Sequence, residues 1–474
     1  MAAPYPLFIN GEWRQSAVTR RIISPYDGGL AGEVFWADTE LVKEAIDAAA
    51  RGFEVTRKLS SHERARILRE IATSINRRRE ELARSIAIQS GKPIRDSRTE
   101  VDRAVMTFEI ASEEAKRLNG EIIPLDLSPF TVGRWGLVRR FPLGPMAAIT
   151  PFNFPLNLVA HKVAPGLAAG NTILLRPASQ VPITSLLLAE IIAQTSLPPG
   201  GFNVIPCGYE AAEALFTDDR VKMITFTGSS AVGWELKKKA ARKKVTLELG
   251  GNAALVVEPD ADLSFAVPRA LTGSFSYAGQ ICISIQRLFL QAKIYDRFLD
   301  DFVARTKGLK LGNPLDETTD IGPMINEAAA RQTEEWVNEA VLKGARIVLG
   351  GRRQGSFYEP TILENVQPEW RISWLEAFAP VVVVYRYHEF EDALRQVNNS
   401  IYGLQAGVFT NDLKKAWLAF ETLEVGGVII NDIPTFRIDH MPYGGVKESG
   451  FGREGVRYAI EEMTELKLLA LNPK

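Results

Sequence analysis

The chain predicts an α/β protein built as two halves, on three observations. Short apolar runs alternate with helical segments from about residue 146, a second alternation follows Gly251, and no internal repeat or low-complexity linker interrupts either. In the first half, Met146-Ala-Ala-Ile-Thr, Thr172-Ile-Leu-Leu, Phe202-Asn-Val-Ile, Met223-Ile-Thr-Phe and Val245-Thr-Leu-Glu-Leu read as buried strands. Helices fall between them, including Pro182 to Gln194 and Ala231 to Ala241. In the second half, strands are expected near Leu288, Ile347, Val381 to Tyr385, Val408 and Val428. Buried strands separated by helices form a parallel sheet with both faces covered.

Ahead of the first alternation, Leu41, Val42, Ala45, Ile46 and Ala49 give Glu40 to Val55 helical spacing. Ser60 and Glu63 suit a capping box. The stripe Ile67, Ile71, Ile75, Leu82 and Ile86 carries that second helix on to Gly91 and Pro93. Glu121 to Phe141 reads as an exposed hairpin, and the tail Glu465-Leu-Lys-Leu-Leu-Ala-Leu as a strand. Unpaired edges seek partners, so subunit pairing is expected through these two pieces.

With 474 residues, 46% of them apolar and 24% charged, the chain has room for two or three domains. A formal net charge of -1 gives no electrostatic reason to expect nucleic acid or an acidic membrane as partner. The runs Arg77-Arg78-Arg79 and Lys237-Lys238-Lys239 read as solvated helix faces. Cys207 and Cys282 are the only cysteines, which excludes a disulfide framework and a cysteine-rich metal site. No signal peptide opens the sequence and no apolar run reaches the roughly 18 residues of a membrane span, so a cytoplasmic protein is expected.

The chemistry-bearing residues sit in distinctive settings. Cys282 ends a run of small residues, Ser276-Tyr-Ala-Gly-Gln-Ile-Cys, which suits a thiol approached closely by substrate and cofactor. Glu248 stands between leucines, where poor solvation raises a carboxyl toward the range of a general base. Asn153, in Thr150-Pro-Phe-Asn-Phe-Pro, is an amide donor locked among rings and prolines. Phe226-Thr-Gly228-Ser229-Ser-Ala-Val-Gly233 passes from strand to helix, a place that attracts phosphate, although its glycine spacing is not the usual dinucleotide fingerprint. Glu376 precedes a buried strand, where an acid binds a ribose diol or simply faces solvent. Singly, each has an ordinary structural alternative: a buried cysteine is commonly a small hydrophobe, and an asparagine beside proline commonly marks a turn.

Six pieces in order carry a family resemblance. Pro151-Phe-Asn-Phe-Pro, Phe226-Thr-Gly-Ser, Leu247-Glu-Leu-Gly-Gly, Gly279-Gln-Ile-Cys, Glu376-Ala-Phe-Ala-Pro and Pro442-Tyr-Gly-Gly-Val-Lys-Glu-Ser-Gly resemble the aldehyde dehydrogenase superfamily. The resemblance spans essentially the whole chain and points to lactaldehyde- and semialdehyde-dehydrogenase-like members. It implies a Rossmann-like dinucleotide-binding domain (residues 1–119 and 143–250), an α/β catalytic domain (251–454) and a small β oligomerisation domain (120–142 and 455–474) in a homodimer or homotetramer. It implies Cys282 as nucleophile, Glu248 as base, and Asn153 with the Cys282 backbone N–H as oxyanion donors. Cofactor contacts are implied for Thr150, Phe152, Arg176, Ser179, Gly228, Ser229, Gly233, Leu249, Glu376 and Phe378. The implied reaction is addition of the thiolate to an aldehyde, hydride transfer to nicotinamide, and hydrolysis of the thioester by water that Glu248 activates. Glu248 favours hydrolysis over transfer to coenzyme A.

Two departures bear on specificity. Most members have lysine where Arg176 stands, and many NAD-preferring members have glutamate where Ser179 stands. Serine does not repel a 2′-phosphate and arginine attracts one, so NADP is favoured over NAD. The expected substrate tunnel, carrying Asn157, Leu158, His161 and Arg437, is polar and suits a small polar or anionic aldehyde. Arg437 would contact the substrate unless it pairs with Asp439 or a subunit neighbour. A semialdehyde dehydrogenase for a dicarboxylic or amino-acid-derived substrate is the alternative within enzymes. A non-enzymatic structural protein on the same fold is the alternative outside them.

Overall fold

The computed structural model describes residues 3–473; Met1, Ala2 and Lys474, at the outer ends of the expected domain segments, lie outside the described residues. Two large sheets organise the chain. The first runs Glu12–Arg14, Leu7–Ile9, Phe202–Val204, Thr172–Arg176, Pro145–Ile149, Met223–Thr227, Lys244–Glu248, Gly450–Phe451. Its five central strands are parallel, and all five fall where the sequence places them. The chain starts at Pro145–Ile149, steps outward twice, then returns to the other side of that strand. Strand order therefore reverses between Pro145–Ile149 and Met223–Thr227, and ligands of open parallel sheets bind at such a reversal, beyond the carboxyl ends of the strands.

The second sheet runs Arg346–Leu349, Thr361–Glu364, Val381–Tyr387, Ile285–Gln291, Ala253–Val257, Gln405–Phe409, Gly427–Ile430, parallel except at its first edge. Only Leu249 to Asn252 separates the last parallel strand of the first sheet from the first strand of the second. Each sheet has its own apolar core. Among the described residues no helix is long and apolar enough to cross a membrane.

Three elements differ from expectation. The helix expected from Ser60 to Gly91 is two helices, Ser61–Arg77 and Arg79–Ser90, broken where Arg78 leaves helical geometry (φ -99, ψ 21) and its guanidinium reaches Glu81 and Glu190. The capping box at Ser60 and Glu63 is present. Helix Ile94–Glu114 was not singled out, because its buried face mixes Ser97, Glu100 and Thr107 with apolar residues. Finally, the tail Thr464–Leu471 pairs along its whole length with Trp135–Pro142 of the same chain, which pairs in turn with Glu121–Pro124. The two pieces expected to pair subunits thus first pair with each other.

Candidate active site

Cys282 is delivered by a turn that the backbone adopts against its own preference. After helix Leu263–Phe275, Tyr277 (φ 49), Ala278 (φ 51) and Gly279 (φ 66) are consecutively left-handed. That costs about 1 kcal/mol or more for each residue that carries a Cβ. Only glycine fits at 279, where a Cβ would collide with the Ala379 carbonyl. Tyr277 Oη donates to the Ser90 carbonyl at 3.0 Å, and the Gln280 side chain accepts from Ile325 N at 2.9 Å. So pinned, the turn leaves Cys282 half-buried with Sγ 3.0 Å from Tyr443 Oη. Burial pushes the thiol up to about 12, with the Tyr443 hydrogen bond opposing. Burial thus favours the neutral thiol, which must pass its proton to a base before it attacks as the thiolate.

Asn153 faces the same turn. Its Nδ2 donates to the Gln280 carbonyl at 3.0 Å, while its buried Oδ1 has no partner. The Cys282 backbone N–H also makes no hydrogen bond among the described residues. The Asn153 loop is anchored by a buried ion pair. Lys92 bonds Glu100 and lies over the rings of Phe154 (3.7 Å) and Tyr277 (4.6 Å). The second oxygen of Glu100 accepts from Leu156 N at 2.8 Å and Asn157 N at 3.1 Å, capping helix Asn157–Ala169. One lysine therefore braces both the amide loop and the cysteine loop.

Glu248 ends strand Lys244–Glu248, buried, with neither oxygen hydrogen-bonded. Burial raises its pKa well above the ordinary carboxyl value and the Glu454 charge raises it further, while Arg437, Lys162 and Arg453 oppose. Glu454 belongs to a buried ion chain, Lys162 Nζ to Oε1 at 2.9 Å and Arg437 Nη2 to Oε2 at 3.0 Å. Sequence reasoning missed Lys162 and Glu454. Their signal was a lysine inside Asn157–Ala169, a helix buried on every side, where a charge demands a partner.

The residues expected to hold a dinucleotide gather at the strand reversal. Thr150 to Asn153 follow Pro145–Ile149, and Gly228 and Ser229 follow Met223–Thr227 and open helix Ser230–Lys239. Gly233 lies inside that helix, where a Cβ would overlap the Leu249 side chain. Phe152 and Phe378 meet edge to face, 5.8 Å between centroids. Glu376 Oε1 accepts from Gly251 N at 2.9 Å, and the carboxylate lies so close over Gly250 that a Cβ there would overlap it. Burial raises Glu376 to about 7. Thr227 Oγ1 and Arg176 Nε are buried without partners. Ser179 lines a cleft of about 730 Å³ together with Arg20 and Arg21. Unpaired donors, a helix N-terminus and a carboxylate beside glycine backbone fit a dinucleotide.

Beyond Cys282 lies a cavity of about 190 Å³. Asn157, Leu158, Arg437 and, from the same expected tunnel segment, Thr435 line it, and so do Lys92, Asp96, Arg103 and Tyr443, which sequence reasoning did not select. His161 does not line it: the ring is buried behind the wall with Nε2 2.7 Å from Asp439 Oδ1. Arg437 pairs with Glu454 rather than Asp439 and stacks on Tyr443, 3.7 Å from the ring centroid. Asp439 is instead held by Arg103, Nη2 to Oδ1 at 2.6 Å.

Comparison with known proteins agrees with this geometry. Residues 13–469 match the model of the aldehyde dehydrogenase family. The chain is 46% identical over 469 residues to a 3-sulfolactaldehyde dehydrogenase of Priestia aryabhattai, covering 99% of this chain and 98% of that one. It superposes on aldehyde dehydrogenase 21 of Physcomitrella patens, solved with the reaction product succinate, at a TM-score of 0.98 with 44% identity and 99% of each chain covered. For a glyceraldehyde-3-phosphate dehydrogenase of Methanocaldococcus jannaschii complexed with NADP, the TM-score is 0.92 and the identity 42%, covering 97% of this chain and 99% of that one. A thiol on a strained turn, an amide facing that turn, a buried carboxyl and a dinucleotide cradle thus meet in one chain of the aldehyde dehydrogenase family, whose members oxidise aldehydes with NAD or NADP.

Proposed function

We propose that this chain oxidises a small aldehyde bearing an anionic group, with Cys282 as nucleophile, Glu248 as base and Asn153 as oxyanion donor. The observation that carries this reading is the small cavity beside Cys282 with Arg103 and Arg437 in its wall. Arg103 keeps part of its side chain exposed, whereas Arg437 is buried, bonds Glu454 and stacks on Tyr443, with its Nε left without a partner. Arg103 is therefore the direct partner of the substrate anion, and Arg437 makes the wall cationic. Carboxylate, sulfonate and phosphate share the geometry that a guanidinium fork recognises. The semialdehyde of a dicarboxylic acid falls within this class, consistent with the succinate held by the Physcomitrella relative.

The residues divide the work as follows. The Cys282 thiolate adds to the aldehyde carbon, and the resulting oxyanion takes hydrogen bonds from Asn153 Nδ2 and the Cys282 backbone N–H. A nicotinamide dinucleotide bound at the strand reversal supplies the hydride acceptor. Loss of hydride leaves a thioester on Cys282. Glu248 then takes a proton from water, the hydroxyl adds to the thioester, and the carbon–sulfur bond breaks to release the acid. Thr150, Phe152, Gly228, Ser229, Leu249, Glu376 and Phe378 shape the cofactor cleft. Arg176, and separately Ser179 with Arg20 and Arg21 in one cleft, favour a 2′-phosphate, hence NADP over NAD. The domains are drawn at residues 1–119 with 143–250, 251–454, and 120–142 with 455–474. The enzyme is a cytoplasmic homodimer or homotetramer, a reducing compartment suiting the free thiol.

A panel of matched aldehydes with and without carboxylate, sulfonate or phosphate, assayed with each dinucleotide by absorbance of its reduced form, tests the proposal. Anionic substrates are expected to give the highest kcat/KM, and Cys282→Ala to abolish turnover while keeping cofactor binding. Equal use of neutral and anionic aldehydes would sink the substrate reading.

A further inference from the structure

We infer that His161 is a positioning residue for the substrate's anionic group, acting through Asp439 on Arg103. The inference rests on the anionic-aldehyde reading above. Asp439 is buried, and its Oδ1 receives three donors: Arg103 Nη2 at 2.6 Å, His161 Nε2 at 2.7 Å and Asn157 Nδ2 at 3.3 Å. Arg103 Nε completes the fork at 3.4 Å from Oδ2. Nη1 of Arg103 makes no hydrogen bond among the described residues, and the side chain, 25% exposed, lines the cavity beside Cys282.

His161 reaches the cavity only through this carboxylate. Burial and the adjacent Arg437 charge hold its pKa below the ordinary value, with Asp439 and Glu454 opposing. A neutral ring with Nε2–H toward Asp439 leaves Nδ1 as the acceptor, and Nδ1 is the buried atom without a partner. The ring thus contributes a hydrogen bond and no charge. That bond fixes the plane of the carboxylate and occupies one of its lone pairs. With it, Arg103 is oriented but not wholly consumed, and its free nitrogen is available to an anion. Without it, the buried carboxylate keeps only Arg103 and the long Asn157 bond as donors, and draws the fork away from the cavity.

The test measures KM and kcat for succinate semialdehyde and for butanal at saturating cofactor, in wild type, H161L, H161Q and R103M. Glutamine places a donor where Nε2 stands; leucine has none. H161L is expected to raise KM for the semialdehyde about tenfold more than KM for butanal, with kcat nearly constant, and H161Q to restore most of the difference. Should H161L fail to fold, H161N, whose shorter amide stops short of Asp439, takes its place against H161Q. Equal losses on both substrates, or no recovery in H161Q, overturn the inference. R103M separates the two failures. If it too loses both substrates alike, the anionic-aldehyde reading is wrong; if it is selective while the His161 variants are not, only the role of His161 is wrong.

Discussion

At the scale of single residues, burial raises the Cys282 thiol and the Glu248 and Glu376 carboxyls above their ordinary values. Glu248→Gln is expected to keep a pre-steady-state burst of reduced cofactor and lose steady turnover, because hydride transfer precedes the step that needs a base. Stopped-flow absorbance reads both phases, and equal loss of burst and turnover would place Glu248 earlier in the cycle. Glu376 makes a stability prediction whose sign follows from its shift, from 4.5 to about 7. Below about pH 4.5 both folded and unfolded chains carry the proton. As pH rises through the shifted value, the unfolded chain ionises first and stability falls. Glu376→Gln removes that slope, so it should gain about 1–3 kcal/mol over wild type between about pH 5 and pH 7.5 in denaturant titrations without cofactor. Cys282, Glu248, Asn153 and Glu376 were legible because each stands in a short contiguous motif. Arg103, Lys162 and Glu454 were not, because their roles come from partners far along the chain, 336 residues apart for Arg103 and Asp439 and 292 for Lys162 and Glu454.

At the scale of elements, helix Ile94–Glu114 is the part least legible and most consequential. Asp96, Thr99, Glu100 and Arg103 recur at helical spacing and face the cavity, so a polar stripe points inward and defeats an amphipathicity reading. Glu100→Ala should destabilise the protein by about 3–5 kcal/mol in equilibrium denaturation, since it strands the buried Lys92 and uncaps helix Asn157–Ala169. A loss under about 1 kcal/mol would mean that Lys92 finds another partner or sheds its proton. The parallel strands were legible because burial on both faces makes them continuously apolar. The break at Arg78 was not, because helical spacing continues across it and only the reach of Arg78 to Glu190 reveals the turn.

At the scale of the whole molecule, apolar side chains remain exposed on the three-stranded sheet, notably Ile122 at 74%, Leu466 at 60% and Leu468 at 51%. Thr464–Leu471 is an edge of that sheet and carries no proline, whereas the opposite edge ends in Pro124. Such an edge is completed by a second copy or aggregates. Sedimentation should find a dimer or larger species at micromolar concentration, and the pair Leu466→Glu with Leu468→Glu should shift it toward monomer; a wild-type monomer would refute this. The left-handed turn before Cys282 has a consequence for the chain as it is made. Its clamps come from Ser90, Ile325 and Ala379, and the hydroxyl that meets Sγ comes from Tyr443, 161 residues after the cysteine. A ribosome therefore releases nearly the entire polypeptide before the thiol has its surroundings. Until then Cys282 is an ordinary cysteine, and the burial that raises its pKa is added only as the chain nears completion.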